Sequence, residues 1–149
     1  GNDKIQDSIK SFIIPNGRGA IINQENYIII DDTYNASPAS MKFGINRFDK
    51  MKSKNHKILI IGDMLELGDY KIQEHEELGE IINSKNIDII LTIGEAMSFL
   101  HKKLDKDYTY KSHFSNIEDL KKVFNSIVKK NDIVFIKGSR KMKLERVYS

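Results

Sequence analysis

"IIIDDTYNASPAS", residues 28–40, opens as a β-branched run and closes as a helix start, with two carboxylates, Asp31 and Asp32, at the join. Ile28 to Ile30 suit a strand packed against neighbours. Ser37 followed by Pro38 predicts an N-cap with proline at the first helical position, where its missing N–H costs nothing. A strand that runs straight into a helix is the repeating unit of a parallel sheet, because parallel neighbours need crossover connections. The two aspartates are poor strand residues and repel each other, so the carboxyl end of this strand is the first place to look for chemistry.

Working outward, "AIINQENYIII" (20–30) reads as a short hairpin turning near Gln24 to Asn26. Past the N-cap, Met41, Ile45 and Phe48 share one helix face, and "KILIIG" (57–62) is a continuous apolar run of the kind found in strands buried on both faces. A helix starting near Asp69 aligns Ile72, Leu78 and Ile82, with His75 on the same side. "IDIILTIG" (87–94) is the next strand, followed by a helix carrying Met97, Leu100 and Leu104, and "YTYKSHF" (108–114) is another strand. Ser115 and Glu118 predict a capping box before a helix with Ile117, Leu120, Phe124, Ile127 and Val128 on its stripe, and "DIVFIKG" (132–138) is the last strand. The alternation specifies an α/β fold: a Rossmann-like three-layer sandwich with a mostly parallel sheet and an antiparallel hairpin strand near the N-terminus. Ile5, Ile9 and Phe12 are at helical spacing before "PNG" (15–17) breaks the chain. Residues 1–14 are therefore expected to be a remnant helix of a preceding domain or a linker, and 15–149 the domain itself.

With 149 residues, 40% apolar and 30% charged, the chain has the composition of one soluble globule able to bury about 70% of its unfolded surface. A net charge of +3 with scattered basic residues gives nucleic-acid binding no support. No apolar run approaches the ~20 residues of a membrane span, and the lack of cysteine excludes disulfides and thiolate chemistry and fits a reducing cytoplasm.

In an open parallel sheet, ligands bind beyond the carboxyl ends of the strands. The segments expected there are "DDTYNASP", "GDMLELG", "GEA", "HFS" and "KGSRKM". Any one of them can be turn and cap chemistry alone. Together they set acidic loops opposite a loop with three cations in five residues, an arrangement suited to a ligand with hydroxyls and anionic groups, such as a nucleotide. No GxxxxGKS or GxGxxG occurs, so the domain has no glycine cradle for a triphosphate or dinucleotide. His56, His75, His101 and His113 lack zinc-ligand spacing, and His75 reads as a helix-face histidine. A phosphoacceptor receiver domain is the competing class: Asp31 and Asp32 would be its acidic pair, Asp63 its phosphoacceptor and Lys137 its lysine, although "DMLELG" is not the loop expected after that aspartate.

Three loops, "DDTYNASPASM", "GDMLELGDYKIQEHEELG" and "KGSRKMKLERV", in that order and spacing, resemble the C-terminal domain of the Mur ligases, in the type that adds D-alanyl-D-alanine. "PNGRG" is similar to the segment that opens this domain past the interdomain hinge, and Ser37 stands where the family commonly has asparagine. The resemblance implies a cytoplasmic, three-domain, ATP-dependent enzyme of peptidoglycan-precursor synthesis. ATP would phosphorylate the terminal carboxylate of UDP-N-acetylmuramoyl-tripeptide, and the amine of D-alanyl-D-alanine would attack the acyl phosphate. It also implies that the P-loop and most Mg2+ ligands belong to the chain's own central domain, that an N-terminal domain binds the UDP-sugar, and that the fragment alone is inactive. Carried over by position, Arg18 would reach the nucleotide phosphates as the catalytic arginine, and Asp32 would accept hydrogen bonds from the ribose. Asp31 would be a less direct partner of the ATP site, and Tyr34 and Asn35 would face the nucleotide or the amine. Asp63, Met64, Glu66, Lys137, Ser139 and Arg140 would line the D-alanyl-D-alanine side, with no metal ligand in this domain. A non-catalytic module on the same scaffold is the second competing class.

Overall fold

The structure is a computed structural model, and residues 17–149 are described. The expected helix through Ile5, Ile9 and Phe12 lies outside the described residues.

Six strands form one sheet: β1 (Ala20–Asn23), β2 (Ile28–Asp32), β3 (Lys57–Gly62), β4 (Ile89–Ile93), β5 (Tyr110–Phe114) and β6 (Ile133–Lys137). Their spatial order is β1-β2-β6-β3-β4-β5, antiparallel between β1 and β2 and parallel elsewhere. Four helices connect them: α1 (Pro38–Lys50), α2 (Lys71–Ile82), α3 (Met97–His101) and α4 (Ile117–Ile127), with 3₁₀ turns at Gly68–Tyr70, Arg140–Met142 and Leu144–Val147.

The strands alternate strictly between two cores, as the two-residue side-chain period requires. Ile30, Leu59, Ile61, Ile90 and Phe135 point to the face covered by Met41, Ile45 and Phe48 of α1, Leu78 and Ile82 of α2, and Met97 and Leu100 of α3. Ile29, Ile58, Ile60, Leu91, Val134 and Ile136 point to the face covered by Leu120 and Phe124 of α4 and by Leu144 and Val147. Because both faces are covered, all six residues of β3 are buried, which is why "KILIIG" shows no polar alternation. Helix α1 lies unusually close to the sheet at Gly44, where a Cβ would come within 2.8 Å of the Phe135 ring. Glycine inside a helix costs about 1 kcal/mol relative to alanine, a cost here offset by that approach.

Local capping agrees with the sequence at α1 and differs at α4. Ser37 accepts from the Ser40 N–H at 3.1 Å while Ser40 Oγ accepts from the Ser37 N–H at 2.9 Å, so the box is reciprocal and Pro38 opens the helix. At α4 the cap is Asn116, which accepts from the Asp119 N–H at 2.9 Å; the expected Ser115–Glu118 box is displaced by one residue. Ile72 does not join the buried stripe of α2 and is 46% exposed, whereas His75, Leu78 and Ile82 are buried. At 3.6 residues per turn Ile72 lies about 120° around the helix from Leu78, on the flank of the stripe.

Three histidines make the fold sensitive to acid. His75 is fully buried; its Nε2 accepts from the Met64 N–H at 3.1 Å and its Nδ1 donates to the Lys71 carbonyl at 2.7 Å, so the ring is neutral with its proton on Nδ1. His101 and His113 both approach Thr92 Oγ1 through Nδ1, at 3.0 and 2.8 Å, and a single hydroxyl proton serves only one of them. Burial is the first cause lowering all three below their ordinary value of 6.5, and each ring of the pair is further influenced by charge: Lys111 and His113 depress His101, while Asp63 partly offsets the shift of His113. A histidine whose folded-state affinity for protons is depressed contributes stability that is complete above its unfolded value and is lost as pH falls through the depressed one. The melting temperature is therefore expected to hold above about pH 6.5 and to decline below it, as thermal denaturation from pH 8 to 5 would measure. A flat profile across that range would contradict the buried neutral assignments.

Candidate functional site

Strands β2 and β3 send their chains to the α1–α2 face, while β6, which lies between them, sends its chain to the opposite face through Leu144–Val147. The loops part at the carboxyl ends of these strands and open a crevice there. Asp32 and Lys137 are register partners at that edge.

Lys137 is buried, and its Nζ donates to Asp32 Oδ2 at 2.7 Å and to the Asn35 carbonyl at 2.9 Å. Asp32 is the more open partner, with 25% of its side chain exposed, and no hydrogen bond to its Oδ1 is found among the described residues. Beside this pair lies a cleft of about 490 Å³ between β1–β2 and α1. Its floor is Ile21, Ile30, Phe135 and Gly44, its rim Phe43 and Arg47, and its polar end Arg18, Asp32, Tyr34, Asn35 and Lys137. Arg18 stacks on the Tyr34 ring with its guanidinium carbon 3.9 Å from the centroid. An apolar slot ending in an acceptor and several cations suits a flat base joined to a hydroxylated, anionic group.

The acidic pair splits between the two faces of the sheet because successive strand residues face opposite ways. Asp31 is buried on the other face, where Oδ1 accepts from the Thr33 N–H at 3.1 Å and Thr33 Oγ1 at 2.7 Å, and Oδ2 accepts from the Tyr148 hydroxyl. Burial and the Asp31 carboxylate push the Tyr148 phenol above its ordinary value of 10.0. Asp31 thus ties the β2–α1 loop to the C-terminal turn and does not line the cleft.

The β3–α2 loop is likewise divided. Asp63 is only 9% exposed, and its carboxylate accepts from the N–H groups of Ala96 and Met97 at 3.2 and 2.7 Å, capping the start of α3. Gly94, with a φ of 114°, admits that carboxylate; a Cβ there would lie 2.3 Å from Oδ1. Met64 is buried in the core with its N–H held by His75. Of the substrate-side residues expected from sequence, Asp63 and Met64 turn inward as supports, Lys137 turns to Asp32 at the cleft rather than to the β3–α2 loop, and Glu66 and Arg140 are exposed. Ser139 is anchored to Asp63, its N–H donating to the Asp63 carbonyl at 3.2 Å. Its hydroxyl is buried and finds no partner among the described residues.

Several contributors were not singled out in sequence. Thr33 and Tyr148 clamp Asp31, and Gly44, Phe43 and Arg47 shape the cleft. Of these only Gly44 left a sequence signal, as a glycine in the middle of a predicted helix face. The receiver reading fails on geometry: its expected phosphoacceptor carboxylate is occupied at a helix start, and an antiparallel pair closes one side of the sheet.

A three-layer, mostly parallel sheet with a cleft that is apolar along its floor and polar at the carboxyl end of β2 and β6 defines the class of α/β domains with their site at the strand ends. The chain belongs to the Mur ligase family: the family model "Mur ligase, glutamate ligase domain" matches residues 17–140. It is 38% identical over 123 residues to the UDP-N-acetylmuramoyl-tripeptide–D-alanyl-D-alanine ligase of Bacillus subtilis, covering 80% of this chain and 26% of that protein. With the enzyme of the same name from Rickettsia prowazekii it shares 35% identity over 131 residues, 88% of this chain and 29% of the relative. The crystal structure of MurF ligase from Thermotoga maritima in complex with ADP superposes with a TM-score of 0.77 at 31% identity, over 93% of this chain and 31% of that one. The chain thus spans between a quarter and a third of the length of these relatives.

Proposed function

We propose that this domain is the C-terminal part of an ATP-dependent cytoplasmic ligase that joins D-alanyl-D-alanine to UDP-N-acetylmuramoyl-tripeptide through an acyl phosphate. The observation that carries the reading is the Asp32–Lys137 pair at the cleft mouth, with one Asp32 oxygen left for a ligand hydroxyl. Lys137 orients the Asp32 carboxylate, so that it accepts from the ribose hydroxyls of ATP. Arg18, exposed on the Tyr34 ring, spreads charge from the nucleotide phosphates when the preceding domain closes on this edge. Among the described residues no group of three or more histidine or carboxylate side chains could hold a metal ion. Mg2+ and the triphosphate cradle belong, on this reading, to the central domain that the family resemblance implies.

On the dipeptide side, Arg140 offers a planar cation to the free carboxylate of D-alanyl-D-alanine, and the buried Ser139 hydroxyl offers an unspent hydrogen bond. An unsatisfied buried hydroxyl costs about 1–3 kcal/mol, so it marks a place where ligand binding restores a lost bond. Ser139→Ala is expected to leave the domain as stable as before or slightly more so, while raising the KM for D-alanyl-D-alanine about fivefold in the full-length ligase. Chemical denaturation and steady-state kinetics together check this; a destabilised variant with unchanged KM would remove the assignment.

The functional reading is tested by incubating the full-length protein with ATP, UDP-N-acetylmuramoyl-tripeptide and D-alanyl-D-alanine and resolving products by mass spectrometry. The expected product is the UDP-linked pentapeptide with stoichiometric ADP. Transfer of a single amino acid instead would place the protein with a different ligase type, and no amide product would favour a non-catalytic module.

A further inference from the structure

Tyr34 carries a feature that the roles of its neighbours do not use. Its N–H donates to the Gly17 carbonyl at 2.7 Å, fastening the β2–α1 loop to the segment through which the chain enters the domain. The residue is 43% exposed, and its ring receives Arg18 at 3.9 Å and Arg140 at 5.7 Å from the centroid. Both distances are within reach of a cation–π attraction. Neither guanidinium has a carboxylate partner among the described residues, so one aromatic ring is the shared seat of two like charges from opposite ends of the domain. Two mobile arginines on a surface would otherwise spread apart, since their repulsion is unopposed and each retains about 2 kcal/mol of rotamer entropy.

We infer that Tyr34 is a positioning residue that arrays Arg18 and Arg140 side by side, coupling the nucleotide-phosphate cation to the dipeptide-carboxylate cation. This rests on the proposed ligase reading. It assigns Tyr34 a role on the arginines rather than a direct contact with the nucleotide base. The ring face does the work, so an aromatic substitute retains it and an aliphatic one of similar bulk does not.

The test is steady-state kinetics on the full-length ligase, varying ATP and D-alanyl-D-alanine separately. Tyr34→Leu is expected to lower kcat/KM for both substrates, each by about five- to thirty-fold, the range of a partly desolvated cation–π contact. Tyr34→Phe is expected to stay within about threefold of the wild-type enzyme, on the same scale. Combining Tyr34→Leu with Arg18→Ala should add nothing further to the ATP defect of Arg18→Ala alone, because the ring acts on ATP through that arginine. Melting temperatures of the variants separate this from a folding defect. The inference is overturned if Tyr34→Leu moves only one substrate, if Phe fails to rescue, or if the double variant is fully additive. A wild-type enzyme that makes no pentapeptide overturns the ligase reading instead, so the two failures are distinguishable.

Discussion

Arg18→Ala is expected to lower turnover of the full-length ligase by about 100-fold or more while leaving the stability of this domain within about 1 kcal/mol of wild type. The asymmetry follows from where the side chain sits. Arg18 is exposed and its recorded contact is the face of Tyr34, so removing it forfeits at most a surface cation–π attraction. Under the proposed closure it meets phosphate charge that develops as the acyl phosphate forms, and a lost donor at such a place typically costs two to three orders of magnitude. Rapid-mix kinetics of ADP release, together with thermal denaturation of the variant, would measure both halves. Full turnover in Arg18→Ala would show that the phosphates are neutralised from the central domain alone.

Lys137→Met is expected to do the reverse, destabilising the domain by about 2–3 kcal/mol before any substrate is considered. Breaking a fully buried ion pair costs about 3–5 kcal/mol, and an exposed one less than about 1. This pair lies between those limits. The Lys137 side chain is 3% exposed and that of Asp32 25%, so water can reach the abandoned carboxylate, while the Asn35 carbonyl loses the donor it has in Lys137. Methionine fills the stem and removes only the ammonium, which confines the loss to the polar contacts. Urea unfolding of the isolated variant is the measurement: an unchanged midpoint would mean that the pair contributes nothing to holding the β2 and β6 ends together.

Much of the layout was legible because it is set by local rules that tertiary packing leaves alone. "KILIIG" coincides with β3 from Lys57 to Gly62, since a strand covered on both faces reads as an unbroken apolar run after its opening lysine. Ser37 and Pro38 start α1 as read, because the reciprocal cap needs only residues three apart. The same rules faltered where two neighbours were equally suited. Ser115 and Asn116 are both good caps, and the extended backbone at Asn116, with φ −142° and ψ 158°, decides between them. Ile72 shows the opposite limit: it is apolar and near the stripe of α2, but about 120° around the helix from Leu78, and is exposed.

The site was harder to read than the fold. Its members are joined by contacts over long sequence separations: Lys137 to Asp32, Tyr148 to Asp31, and Asp63 to the start of α3. Nothing in "GDMLELG" distinguishes a carboxylate that lines a crevice from one that caps a distant helix. Only the topology, which brings the β4–α3 loop beside the end of β3, makes that choice for Asp63. The division of Asp31 from Asp32 does follow from the two-residue strand period once β2 is known to extend through both.

The central claim is that the carboxyl ends of β2 and β6 form half of a nucleotide site. The most direct measurement is the KM for ATP of the full-length ligase carrying Asp32→Ala, with the KM for D-alanyl-D-alanine followed in parallel. A charge-assisted hydrogen bond contributes about 1.5–3 kcal/mol, so the KM for ATP should rise at least tenfold while that for the dipeptide stays near wild type. An unchanged ATP requirement, or a defect confined to the dipeptide, would contradict the account.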